Sequence, residues 1–109
     1  MSDDQTVLHR LMAVIEDRRA NRPPRSYTTS LFDGGHDAIA AKIREEAEEL
    51  IEAARQEQGP RDGVVHEAAD LVYHLLVMLA HCGVTLSDVE AELQRRLGTS
   101  GLDEKASRR

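Results

Sequence analysis

Residues 64–82 read VVHEAADLVYHLLVMLAHC, and how this stretch folds decides the architecture of the chain. Val64, Ala68, Leu71, Val72, Leu75, Leu76, Met78 and Leu79 recur at helical spacing and form a wide apolar face. The polar side is narrow. Glu67, Asp70, His74 and His81 follow one another at steps of three, four and seven, in one stripe about 60° wide at about 100° per residue. A helix apolar on most sides is expected inside a bundle or against a second copy. Unpaired charge in such a place is strongly unfavourable or is neutralised. An internal salt bridge would meet the demand, but Lys42, Arg44, Arg55 and Arg61 are the only bases between residues 26 and 94. A bound cation meets it better.

About twenty residues earlier stands a second acidic run, Glu45-Glu46-Ala47-Glu48-Glu49. Taken alone, such a run is usually a solvated helix face. With Ile39 set at zero and about 100° per residue, Ile39, Ile43, Leu50 and Ala54 lie within about 60° of one another, and Glu46 sits at the edge of that stripe. Glu46 is therefore expected to point toward the core. Lys42 and Glu49 flank it, Glu45 lies a little farther round, and Glu48 and Glu52 face the opposite way as surface charge. If the two helices face each other, Glu45, Glu46, Glu49, Glu67 and Asp70 make an oxygen-rich site suited to a hard divalent cation such as Mg²⁺.

The bulk properties agree with a helical reading. The chain has 109 residues, 40% of them hydrophobic, which is read as a single domain spanning 1–109 with a polar tail from about 99. With no Trp, one Phe and two Tyr, the core must be built from aliphatic residues, which suit helices better than a sandwich. A formal charge of −6 argues against non-specific nucleic-acid binding, which relies on a basic surface. Nine carboxylates stand against three arginines between residues 43 and 70, while both ends of the chain are rich in Arg. The single cysteine, Cys82, excludes an internal disulfide, fits a reducing compartment, and is expected to pack on its helix. There is no leader-like apolar segment at the start and no uninterrupted run of about twenty apolar residues, so no membrane span is expected and the cytoplasm is the expected location.

Along the chain, residues 6–20 carry a first amphipathic helix, with Ser2, Asp3 and Asp4 as candidate caps. Asn21-Arg22-Pro23-Pro24-Arg25 breaks it, and residues 26–35 lack helical periodicity and read as a loop. A second helix is expected from about 36 or 37 to 58, closed by Gly59-Pro60, and a third from about 62 to 82, followed by Gly83. Thr85-x-x-Asp88 and Ser87-x-x-Glu90 both offer a capping box for a fourth helix ending at Gly98. Short connections imply antiparallel neighbours. The fold is thus read as all-α, a bundle of four to five helices with an antiparallel core, completed by homodimerisation.

These motifs resemble a known pattern. Glu45-Glu46-x-x-Glu49 with Glu67-x-x-Asp70 is similar to the signature of the all-α nucleotide pyrophosphohydrolases, the MazG-like superfamily. Four further stretches narrow the resemblance to its phosphoribosyl-ATP pyrophosphatase family. They are Arg22-Pro23 with Ser26-Tyr27-Thr28, the residues around Lys42-Ile43-Arg44, Tyr73-His74-Leu75-Leu76, and Ser100-Gly101-Leu102-Asp103-Glu104-Lys105-Ala106-Ser107-Arg108. The resemblance covers about residues 7 to 108. It implies Mg²⁺ on Glu45, Glu46, Glu49, Glu67 and Asp70, and substrate contacts from Arg22, Arg25, Ser26, Tyr27, Thr28, Lys42, His74, Lys105 and Arg108. On the residues alone, Lys105 and Arg108 are equally well read as solvated charges, and His74 as orienting an acid or packing against the loop. The chain leaves no room for the cyclohydrolase domain to which this activity is often fused.

The reaction so implied is the second step of histidine biosynthesis, hydrolysis of phosphoribosyl-ATP to phosphoribosyl-AMP and pyrophosphate. Glu46 and Glu49, in the more apolar and crowded surroundings, are the candidate bases. The expected partners are a nucleotide and a second copy of the chain, with neither nucleic acid nor membrane. A di-iron carboxylate bundle would need Glu-x-x-His on two helices, and none occurs. A purely structural module would turn its acids outward. A pyrophosphohydrolase that clears ordinary or damaged nucleotides shares the metal site and is the main alternative.

Overall fold

A computed structural model describes residues 6–56, 61–98 and 105, and these contain four helices and no strand. Helix α1 (Val7–Asn21) starts at Thr6, whose side chain accepts a hydrogen bond from the His9 amide, while the expected caps Ser2, Asp3 and Asp4 lie outside the described residues. It stops at Arg22, which turns left-handed (φ 38°) and returns its N–H to the Arg18 carbonyl at 2.9 Å.

Helix α2 (Tyr27–Arg55) corrects the expectation of a loop over residues 26–35. Ser26 is an N-cap, accepting from the Thr29 amide at 3.2 Å, and residues 27–34 are helical up to Gly35, whose φ of 78° and ψ of −167° break the rod. Two helical turns are too short to display a 3.6-residue period, and Gly34-Gly35 reads as a turn for good reason: it is the bend. The second arm, residues 36–55, is the helix expected from sequence but ends earlier than the expected Gln58, at Arg55, with Gln56 extended (φ −76°, ψ 111°) as its C-cap; Gly59-Pro60 lies outside the described residues.

Helix α3 (Arg61–His81) packs chiefly along α2 and less extensively on α1. After His81 the chain turns through Gly83 (φ 73°), and the Val84 amide reaches back to the Leu79 carbonyl at 2.9 Å. Cys82 therefore sits in the turn beyond the helix and is exposed, not packed as expected. Helix α4 (Leu86–Arg96) uses the first of its two possible caps: Thr85 and Asp88 form the reciprocal box. It is held by buried Leu86 and by a 2.8 Å pair between His9 and Glu90.

The core joins Met12 and Ile15 of α1, Leu31, Phe32 and Ile39 of α2, Leu76, Val77 and Ala80 of α3, and Leu86. By length and composition α3 would suffice to cross a membrane; it packs on α2 and α1 and carries Glu67 and Asp70. Part of its apolar face is not covered within the chain. Val65, Val72 and Leu75, at steps of seven and three on one side, remain open to solvent.

Candidate functional site

Two groups of acids emerge from the two helices in closest contact. Glu45, Glu46 and Glu49 of α2 each bring a carboxylate oxygen within 4.8 Å of the others, and His66, Glu67 and Asp70 of α3 form a second group of the same kind. If α2 and α3, which pack together across a short connection, run antiparallel, equal counts from Arg55 and Arg61 mark equal heights at about 1.5 Å per residue. Glu49 and Glu67 are each six residues from these ends, Glu46 and Asp70 each nine, Lys42 and His74 each thirteen. By this count the acids of the two helices fall at matching positions.

Glu46 occupies the position its angle predicts. It is 5% exposed, on the helix arm that also buries Ile39. Lys42 Nζ lies 3.0 Å from Glu45 Oε2 and 3.7 Å from Glu46 Oε1. Glu46 Oε2 has no hydrogen-bond partner; with Thr29 Oγ1 it is one of two buried side-chain polar atoms left so among the described residues. Leaving a buried acceptor unsatisfied is unfavourable by about 1–3 kcal/mol, and more for a charged one. Carboxylate oxygens with no sulfur among them are the donor set of a hard cation, so the residues fit Mg²⁺. His66, which lies 3.3 Å from Asp70, adds a nitrogen at the rim of the α3 group.

The bend at Gly35 completes the site. A straight α2 would carry its first residues past the end of α3. Instead Tyr27 meets His74, in the middle of α3, and its hydroxyl feels the charges of Lys42, Glu45 and Glu46. The short arm is therefore folded back over the level of Lys42. His74 is buried and both its nitrogens are engaged: Nδ1 donates to the Asp70 carbonyl at 2.8 Å, and Nε2 meets the Tyr27 hydroxyl at 2.8 Å. A carbonyl only accepts, so Nδ1 carries the hydrogen and in the neutral ring Nε2 accepts from Tyr27. Tyr73 hydrogen-bonds Thr28 and stacks on Tyr27 with ring centroids 6.2 Å apart. Partial desolvation raises the Tyr27 pKa above the usual 10.0, and the hydrogen bond to Glu45 raises that of Lys42 above 10.5.

Among the described residues, none of the remaining expected ones pairs with the acids. Arg22 pairs with Asp33 at 3.0 Å, lies over the Phe32 ring, and lines a cavity of about 470 Å³ with Glu16, Arg19, Ala80 and Thr85. Arg25 is exposed and left-handed (φ 67°), Ser26 serves as the helix cap, Thr28 is buried and Lys105 is exposed. Arg108 lies outside the described residues. Two neighbours of the site were given no role from sequence: His66, whose signal was its four-residue spacing to Asp70, and Tyr73, whose pairing needs the fold-back at Gly35.

Comparison with known proteins gives the family. A family model described as phosphoribosyl-ATP pyrophosphohydrolase matches residues 8–97. The phosphoribosyl-ATP pyrophosphatase of Rhodopirellula baltica is 53% identical, covering 99% of this chain and 91% of its own length. That of Methylibium petroleiphilum is 52% identical over 100% and 88%, and that of Dechloromonas aromatica 49% identical over 94% and 93%. With a match across most of its length and relatives that are nearly coextensive with it, the chain belongs to the phosphoribosyl-ATP pyrophosphohydrolase family.

Proposed function

We propose that this protein hydrolyses phosphoribosyl-ATP to phosphoribosyl-AMP and pyrophosphate in histidine biosynthesis, with Mg²⁺ held by Glu45, Glu46, Glu49, Glu67 and Asp70. The observation that carries the metal reading is the buried, unpartnered Glu46 Oε2 among converging carboxylates; the family match carries the substrate. Water attacks at the α-phosphorus, the bond to the bridging oxygen breaks, and pyrophosphate leaves. When bound, Mg²⁺ supplies positive charge to the phosphate oxygens. Glu46 and Glu49 are the acceptors for the proton of the attacking water, Glu46 from the low-dielectric side and Glu49 free of ion pairs among the described residues. Tyr27, steadied by His74, closes the rim above Lys42 and leaves its hydroxyl beside the acids.

Selection of the phosphoribosyl group falls to bases and hydroxyls outside the acid clusters, namely Arg22, Arg25, Ser26, Thr28, Lys105 and Arg108. Hydrogen bonds to charged groups contribute about 1.5–3 kcal/mol each, so two such contacts give on the order of a hundredfold preference over ATP. The enzyme works in the cytoplasm as a homodimer, a second copy covering the Val65, Val72 and Leu75 stripe. Pyrophosphate release from phosphoribosyl-ATP, measured beside ATP, dATP and dUTP, tests the substrate. Comparable efficiency on ATP or dUTP would replace this assignment with a nucleotide-clearing role.

A further inference from the structure

The reading of the acids as a cation site leaves one side chain unexplained. Lys42 already puts a positive charge on the oxygens that the metal needs, at 3.0 Å from Glu45 and 3.7 Å from Glu46. Two cations sharing the same carboxylates repel each other. One must therefore give way, and burial decides which. The Glu46 side chain is 7% exposed, whereas that of Lys42 is 30% exposed. Its flexible stem and three rotatable donors let the ammonium swing out without disturbing the core. The other oxygen of Glu46, Oε2, is buried without a hydrogen-bond partner, an acceptor that Lys42 does not satisfy.

Resting on that metal reading, we propose that Lys42 is an exchangeable counter-ion. With no metal bound it neutralises Glu45 and Glu46; when a divalent cation takes those oxygens it releases them and turns to the triphosphate of the arriving nucleotide. The released ammonium then stands beside a polyanion, where a charge-assisted hydrogen bond replaces the one it gave up. Lys42 would thus weaken metal binding to the free protein and strengthen nucleotide binding to the metal-loaded one.

The experiment uses the full chain and Mn²⁺ alone as the probe, with free Mn²⁺ read by electron paramagnetic resonance. In K42M, Mn²⁺ should bind about tenfold more tightly in the absence of nucleotide, as expected when a neighbouring positive charge is removed. The KM for phosphoribosyl-ATP at saturating Mg²⁺ should rise about tenfold. K42R keeps the charge, so it should retain the weaker, wild-type Mn²⁺ affinity. Unchanged or weaker Mn²⁺ binding in K42M would overturn the proposal, as would tighter binding with an unaltered KM. E46Q separates the two layers of the argument: if it binds Mn²⁺ as the wild type does, the metal site itself is misassigned. If E46Q loses Mn²⁺ while K42M is unaltered, the metal site stands and only the counter-ion role fails.

Discussion

The Tyr27 hydroxyl and His74 Nε2 lie 2.8 Å apart although 47 positions separate them in the chain. This one contact ties the short arm of α2 to the middle of α3 and closes the bend at Gly35. Because the other nitrogen of His74 is bonded to the Asp70 carbonyl, the same contact links the arm to the turn of α3 that bears an acid of the site. The short arm of α2 and the acid-bearing turn of α3 are therefore one hydrogen-bonded unit.

Tyr27 should respond to alkaline pH. The folded protein binds the phenolic proton more tightly than the unfolded chain, chiefly because the hydroxyl is desolvated, so the protonated form is the one the fold favours. That contribution is complete below pH 10.0 and is lost as pH rises through the higher folded-state value. Lys42 acts in the same direction above 10.5. In a Y73F background, the phenolate absorbance of Tyr27 should appear above pH 10.0, and urea stability should fall over the same interval. Ionisation at or below the ordinary value would contradict the partial desolvation of its hydroxyl.

Replacing Glu46 by Gln should separate function from folding. The substitution removes a buried charge with one unpartnered oxygen, so the unfolding midpoint in urea should hold or rise. Pyrophosphate release should drop at least about a hundredfold, the loss expected when metal affinity or activity is compromised at a ligand position. Activity lost only in step with helical circular dichroism would assign Glu46 a structural role instead.

Much of this was legible in the sequence for a physical reason. Long helices with strong periodicity, such as residues 36–55 and 61–81, carry their buried face in their spacing, and Glu46 could be placed in the core from its angle to Ile39 alone. What escaped was set by long-range contacts. Residues 27–34 are too few to show a period, and their helix is held by a cap, a glycine bend and the Thr28–Tyr73 and Tyr27–His74 pairs. Cys82 was misplaced because the helix stops one residue earlier than its apolar run suggests, at a turn set by Gly83. The roles of Arg25 and Lys105 rest on family resemblance, since neither pairs with the acids, and Arg108 lies outside the described residues.

Gly35 should be more sensitive than its open surroundings suggest. An added Cβ would meet nothing within 4 Å, so the penalty comes from the backbone alone, at φ 78° and ψ −167°. Gly35→Ala should lower stability by about 1–3 kcal/mol, read from urea unfolding. It should also weaken the Tyr27 contact, read as a Tyr27 phenolate forming closer to pH 10.0. A neutral effect on both would mean that the bend is easily adopted by other residues.

The uncovered stripe on α3 predicts association. Leu75→Asp, at a position 43% exposed in the single chain, should leave the helices folded but convert a dimer to a monomer by light scattering, whereas Leu76→Asp, at 4%, should unfold or aggregate the protein. A wild-type protein that is monomeric at micromolar concentration would contradict the dimer.

The most direct measurement is pyrophosphate release from phosphoribosyl-ATP by the full chain in Mg²⁺, after excess EDTA, and after Mg²⁺ is restored. If the converging acids form a metal site serving this reaction, release is rapid, falls to background on chelation and returns with the metal. Undiminished turnover in EDTA would contradict the account.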